Sequence, residues 1–328
     1  MRSGKRILRP QPSPGRGGWL SRAICLITDH HQQTQQQSVT HDSERSSGWG
    51  DRISQGAIQS IEMDKQHFLS VSSAAAIEVL AGRSAAAILL DHDGTGTEAL
   101  RGALRVASEQ GTAVCVHGDL ADWPEFDRVT SDHAVGAAAL VAWLVGQGRR
   151  RLELVMEEPL DRPWFHARRQ GFETAVRAAG LIPAPTITIP MLPSAVDTPA
   201  TMAAAARVIA GHLVEAFSAA APPDALLVCS DRTVFGVAAA IRLFGKEPNR
   251  EVALVGYDNY WKDCNEARLE SARPLATVDK DNRAIGAALV RLASERQRAA
   301  SISAGIPLGP QLLRVPPRLL LSDVISAS

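Results

Sequence analysis

Apolar residues along this chain fall into two kinds of cluster. The first is short, nearly continuous and bounded by polar or turn-forming residues, as at 23–27, 67–71, 85–90, 113–116, 152–156, 186–189, 225–229, 252–255, 275–278, 312–315 and 318–321. Runs of that length without alternation fit strands buried on both faces, the kind found in parallel sheets covered by helices. The second kind shows apolar residues three and four apart, over 53–61, 74–80, 100–110, 132–145, 164–179, 201–217, 234–244 and 283–294, and predicts helices. Gly111, Gly180 and the glycines at 146–148 stand where three of those helices should end. Strand and helix alternate, so the pattern predicts an α/β fold, and the length suits two doubly wound parallel-sheet lobes better than one. Three stretches lack either pattern. Residues 1–21 are rich in Pro, Gly and Arg and read as an extended arm or linker. The Gln-rich tract 32–37 with the polar segment 41–50 reads as a long loop, and 117–131, with Trp123 and Phe126, as another loop.

Two of the apolar runs lead into a carboxylate: 225–229 into Ser230-Asp231, and 252–255 into Gly256-Tyr257-Asp258. In a parallel sheet, ligands collect beyond the carboxyl ends of the strands, so acids there point to a binding cleft.

Charge narrows the choice of partner. The 328 residues carry 35 Lys and Arg against 35 Asp and Glu, a net charge of zero, so the body offers no strongly basic face to nucleic acid or to an anionic membrane. Contact with DNA would need a dedicated module. The four cysteines, Cys25, Cys115, Cys229 and Cys264, are far apart, and the first three sit in apolar runs, as core thiols of a reducing compartment would. Arg2, Lys5, Arg6 and Arg9 are followed by a Pro/Gly-rich segment and not by the apolar core of a signal peptide. No run approaches the roughly 18 uninterrupted apolar residues of a membrane helix. The expectation is a cytoplasmic protein without a membrane partner.

Three motifs in order resemble the effector-binding core of LacI/GalR-type transcription regulators, which share the fold of type I periplasmic sugar-binding proteins. The first is Ser131-Asp132-His133-Ala134-Val135-Gly136 followed by Gly148-Arg149-Arg150 and an apolar run. The second begins at Arg162 and includes Arg168 three residues before Gly171-Phe172. The third runs from Pro223-Asp224-Ala225 through Ser230-Asp231 and Gly256-Tyr257-Asp258-Asn259 to Pro274-Leu275-Ala276-Thr277-Val278. The resemblance spans about 22–321. It implies two similar lobes joined by three crossovers, one of 22–131 plus 275–305 and the other of 132–274 plus 306–325. It also implies a sugar-like small-molecule effector held between them, a homodimer, and a DNA reader. The 21 residues before the first strand are too few for a helix-turn-helix, so DNA contact is expected only through a module missing from this chain.

On this resemblance Arg162 falls where an arginine grips the effector, although a solvated charge beside Asp161 is the plainer reading. A planar fork of donors suits a carboxylate or a pair of hydroxyls. Asp258, at a strand end, is a hydroxyl acceptor or a turn residue. Asp231 and Asp132 are cleft residues or helix caps. Trp164 stacks on a ring or plugs the groove, and Tyr260 and Trp261 have the same two readings. Asp29 is carried over as a ligand contact from the end of the first strand. Asp29, His30, His31 and His41 match no metal-ligand spacing, and no cofactor is expected.

An enzyme is the first rival. No strand is followed by GxGxxG or GxxxxGK[ST], residues 91–97 lack the spacing of a phosphate cradle, and no nucleophile, base and orienter set is evident. A free-standing or exported solute-binding protein is the second rival, disfavoured by the missing signal sequence.

Overall fold

The short apolar runs become strands and the spaced segments helices in a computed structural model, which describes residues 23–28, 49–81, 86–90, 98–118, 123–192, 196–302 and 309–322. In chain order the elements begin β1 (Ala23–Ile27), α1 (Trp49–Met63), β2 (His67–Val71), α2 (Ser73–Ala81), β3 (Ala86–Leu89), α3 (Glu98–Glu109), β4 (Ala113–His117) and β5 (Asp127–Ser131). They continue with α4 (His133–Gly146), β6 (Leu152–Glu157), α5 (Pro163–Ala178), β7 (Ile187–Ile189), α6 (Pro199–Ser218), β8 (Ala225–Val228) and α7 (Asp231–Leu243). Last come β9 (Ala253–Val255), two short 3-10 turns (Trp261–Asp263 and Asn265–Arg268), β10 (Ala276–Asp279), α8 (Asn282–Ile302), β11 (Leu312–Val315) and β12 (Arg318–Leu321). The arm 1–21, the polar loop with Asp29, His30, His31 and His41, and 91–97 lie outside the described residues.

Two six-stranded sheets result, ordered β11-β5-β4-β3-β1-β2 and β12-β10-β9-β8-β6-β7. All neighbours are parallel except β12, which runs antiparallel to β10. The chain passes between lobes three times: between β5 and α4, between β10 and α8, and between β11 and β12. Two expected boundaries move. β10 pairs with β9 and β12 of the second sheet, so the second crossing follows Asp279 and does not precede residue 275. β11 pairs with β5 of the first sheet, so the third crossing lies at Pro316-Pro317 and not near 305. Two consecutive prolines cannot continue a hydrogen-bonded ladder, and the chain changes sheet there.

β5 is the strand the apolar pattern missed. Its sequence, Asp-Arg-Val-Thr-Ser, carries one aliphatic residue, and pairing with β4 and β11 on both sides makes it a strand. Asp127 at its start is buried because Arg296 of α8 grips it with two hydrogen bonds of 2.7 Å each.

The cores follow the expected faces. Ile24, Leu26, Ile88 and Leu289 anchor the first lobe, and Leu154, Leu227, Phe172 and Tyr257 one layer of the second. α6 is long and apolar enough to cross a membrane by length and composition. Its Met202, Ala205, Ile209 and Leu213 face nonetheless belongs to the second-lobe core. The four cysteines are buried and unbridged.

Candidate functional site

The carboxyl ends of both sheets converge on one cavity of about 560 Å³. Its first-lobe wall is built by His117 at the end of β4, Thr130 and Ser131 at the end of β5, Asn282 and Ile285 on the first turn of α8, and Arg314 on β11. The second-lobe wall brings Asp132 and His133, Glu157 at the end of β6, Trp164 and Arg168 on α5, Ser230 before α7, Asp258 after β9, and Lys280 after β10.

Arg168 is the hub of that wall. It faces inward because it shares a helical face with Phe165, Phe172 and Val176, and it is only 3% exposed. Its guanidinium lies 3.6 Å from the Tyr257 ring centroid and 4.6 Å from that of Trp164, a cation held over π faces in a desolvated place. Its Nη1 donates to the Cys229 carbonyl at 2.6 Å and its Nη2 to Asp258 Oδ1 at 3.2 Å. Nε donates to His133 Nδ1 at 3.4 Å, so that ring accepts. Burial, then the positive charges of Arg168 and Lys280, hold His133 well below its usual pKa and keep it neutral.

Asp258 occupies a left-handed turn, φ 94°, followed by Asn259 at φ 54°. Two consecutive non-glycine residues in that region are held there by their partners. Lys280 Nζ reaches Asp258 Oδ1 at 2.9 Å, alongside Arg168. Burial alone would push this carboxyl up, but Lys280 and Arg168 outweigh it and hold it below the usual carboxylate value. Asp258 is therefore ionised.

The other candidates divide. Asp132 does both things expected of it: its Oδ1 accepts from Val135 N at 3.1 Å as the cap of α4, and it lines the cavity. Trp164 lines the cavity with Arg168 stacked on it. Tyr260 lines the cavity, whereas Trp261 is buried in the second-lobe core. Arg162 is not among the lining residues; it holds the N-cap position of α5 without a side-chain cap, and Arg168, six residues on, is the arginine that enters the cavity.

Asp231 is not a lining residue either. Ser230 is the cap of α7, and Asp231 is fully buried just inside the helix. Its Oδ2 accepts from the backbone N–H groups of Tyr260 and Trp261 at 2.9 and 3.3 Å, and its Oδ1 accepts from Thr277 at 2.7 Å. A Cβ at Gly256 would collide with that carboxyl, so the glycine leaves it room. Burial pushes the Asp231 acid up to about 8. Asp29 lies outside the described residues.

Lys280, Glu157 and Ser131 escaped the sequence reading. Glu157 and Lys280 each follow an apolar run, the same strand-end logic that singled out Asp258. Ser131 ends the unrecognised β5, and its Oγ is buried on the cavity wall with no hydrogen-bond partner among the described residues. Glu157 accepts from Thr233 Oγ1 at 2.6 Å. Burial raises its acid, and the Thr233 hydroxyl and the Arg232 charge only partly oppose that.

Residues 141–319, more than half of the chain, match the periplasmic binding protein-like domain. The chain belongs to that family. Among solved structures, the transcriptional regulator CelR in complex with cellobiose is 18% identical, with a TM-score of 0.62 over 93% of this chain and 86% of that one. A LacI family transcriptional regulator from Silicibacter pomeroyi is 22% identical, with a TM-score of 0.59 over 93% and 99%. A regulatory protein of the LacI family from Chloroflexus aggregans is 20% identical, with a TM-score of 0.62 over 92% and 97%. At these identities the likeness establishes the fold, the two-lobed core these regulators share with periplasmic binding proteins. No curated protein sequence matches the chain.

Proposed function

We propose that this chain is the effector-sensing core of a LacI/GalR-like transcription regulator, a cytoplasmic homodimer that binds a sugar-like small molecule between its lobes. DNA contact would come through a module other than the two lobes. The observation that carries the reading is the ionised Asp258, fixed by Arg168 and Lys280 on the wall of a 560 Å³ interlobe cavity that both sheets supply with polar groups. A cavity in the range of a few hundred Å³ suits a mono- or disaccharide, and a fixed carboxylate accepts from adjacent hydroxyls. Ser131, buried with a hydroxyl that has no partner among the described residues, and Trp164 supply a polar contact and an apolar face. Asp258 and Arg168 are the ligand contacts we favour, with Asp132 and Trp164 beside them.

The test is a thermal-shift screen against monosaccharides, disaccharides and nucleosides. At least one should raise Tm, and a ligand at one hundred times its Kd adds about 2.7 kcal/mol. Asp258→Asn keeps the side-chain volume and tolerates positive φ, and it should remove the rise while the apo protein stays folded by circular dichroism. A flat screen, or an Asp258→Asn protein that responds as the parent does, would refute the reading.

A further inference from the structure

Of the three acids on the second-lobe wall, Asp132 caps the N-terminus of α4, and the other two are treated differently. Asp258 holds two cations, Arg168 and Lys280. Glu157, at the carboxyl end of β6 on the same wall, holds none: among the described residues its contact is the Thr233 hydroxyl at 2.6 Å. Arg232, the cation whose charge acts on Glu157, is itself engaged by Glu266 at 2.6 Å. A half-buried carboxylate without a counter-ion is costly to the folded protein. It is tolerated where a partner arrives from outside, and Glu157 faces the cavity in which a ligand would sit.

We propose that Glu157 selects an effector bearing a protonated amine, an amino sugar or a similar polyol with a cationic nitrogen, whose ammonium pairs with its carboxylate. This rests on the effector-sensing reading above and names the ligand class of that same cavity. The charge layout also orients such a ligand. Arg168, Lys280 and Asp258 together leave one excess positive charge, which repels an ammonium and receives hydroxyls, while Glu157 receives the nitrogen. The upward push of burial on the Glu157 acid is that of a carboxyl lacking its counter-ion, and a bound ammonium would reverse it. A neutral sugar would leave Glu157 with hydroxyl donors only, and charge-assisted hydrogen bonds are roughly twice as strong as neutral ones.

The experiment measures calorimetric affinities of the full chain for matched pairs: glucose and glucosamine, galactose and galactosamine, mannose and mannosamine, with the N-acetylated forms as uncharged controls. An amine-bearing member should bind at least tenfold more tightly than its neutral and acetylated counterparts. Glu157→Gln retains an acceptor for Thr233, and it should lose at least tenfold for the amine while changing neutral-sugar affinity less than threefold. If the neutral sugar binds as tightly as its amine, or Glu157→Gln leaves the amine's affinity unchanged, the amine inference fails and the effector reading stands. If no member of either class binds, the amine inference fails, and the effector reading is decided by the wider thermal-shift screen.

Discussion

Asp231 shows how far a single carboxyl can serve the fold. Its three donors come from Thr277 and from the backbone of the turn that presents Tyr260 to the cavity, so its removal strands two buried N–H groups. Each such orphan costs about 1–3 kcal/mol, so Asp231→Ala should lower the unfolding free energy by about 3 kcal/mol or more in urea titrations. Asp231→Asn can keep all three contacts if its amide oxygen accepts from the two N–H groups and its NH2 donates to the Thr277 hydroxyl; it should cost about 1 kcal/mol or less. The two variants differ from each other again in pH. The folded acid is raised to about 8 from an ordinary value near 3.8, so the folded state binds its proton more tightly. That contribution is full below about pH 4 and is lost as pH rises through 8. The stability of the parent relative to Asp231→Asn should therefore fall between pH 5 and 8.5; a difference that is flat or rising with pH would show the acid ionised in the fold.

At the scale of elements, α1 and α8 of the first lobe approach each other closely. A Cβ on Gly286 would overlap the Ile53 carbonyl, and one on Gly56 the Arg283 carbonyl, so backbone packs on backbone there. Gly286→Ala should force the helices apart and cost about 2 kcal/mol or more. Gly211, exposed on α6 with open space around it, is the control: Gly211→Ala should stabilise by about 0.5–1 kcal/mol through helix propensity alone. Urea unfolding of both variants checks the pair, and a neutral Gly286→Ala would mean that the helices have slack. Neither role could be read from sequence, where both glycines are simply small residues in helical segments. The elements themselves were legible where burial writes a pattern, as in β8, α7 and β9. They were illegible in β5, whose polar residues are held by neighbours from distant parts of the chain.

Across the whole molecule, Arg52 on α1 of the first lobe spans to the second. Its Nη1 donates to the Asn259 carbonyl and its Nη2 to Asp263, each at 3.1 Å. Asn259 is the neighbour of Asp258 in the left-handed turn, so the residue that would meet the ligand is joined by one peptide bond to a contact between the lobes. Asp263 is exposed, and partly exposed pairs are worth about 1 kcal/mol or less, a shift of about fivefold in an open-to-closed ratio. Arg52→Ala should weaken ligand binding by about that factor and increase the radius of gyration of the apo protein in X-ray scattering, with Tm little changed. Unaltered scattering and affinity would mean that the contact does not hold the lobes together.

What the sequence determined alone is the alternation of strands and helices, the two-lobed α/β plan and the acid at the end of β9. These are properties of local pattern: apolar runs must be buried, and ligands meet strand ends. The tertiary structure decided which arginine enters the cavity, since the inward helical face that carries Phe165 and Phe172 also carries Arg168, while Arg162 stays at the helix cap. It decided that Asp231 braces a turn and that, among the described residues, Asp258 has two cations and Glu157 none. Those outcomes depend on which side chains from remote segments share a desolvated space, and spacing along the chain does not encode them.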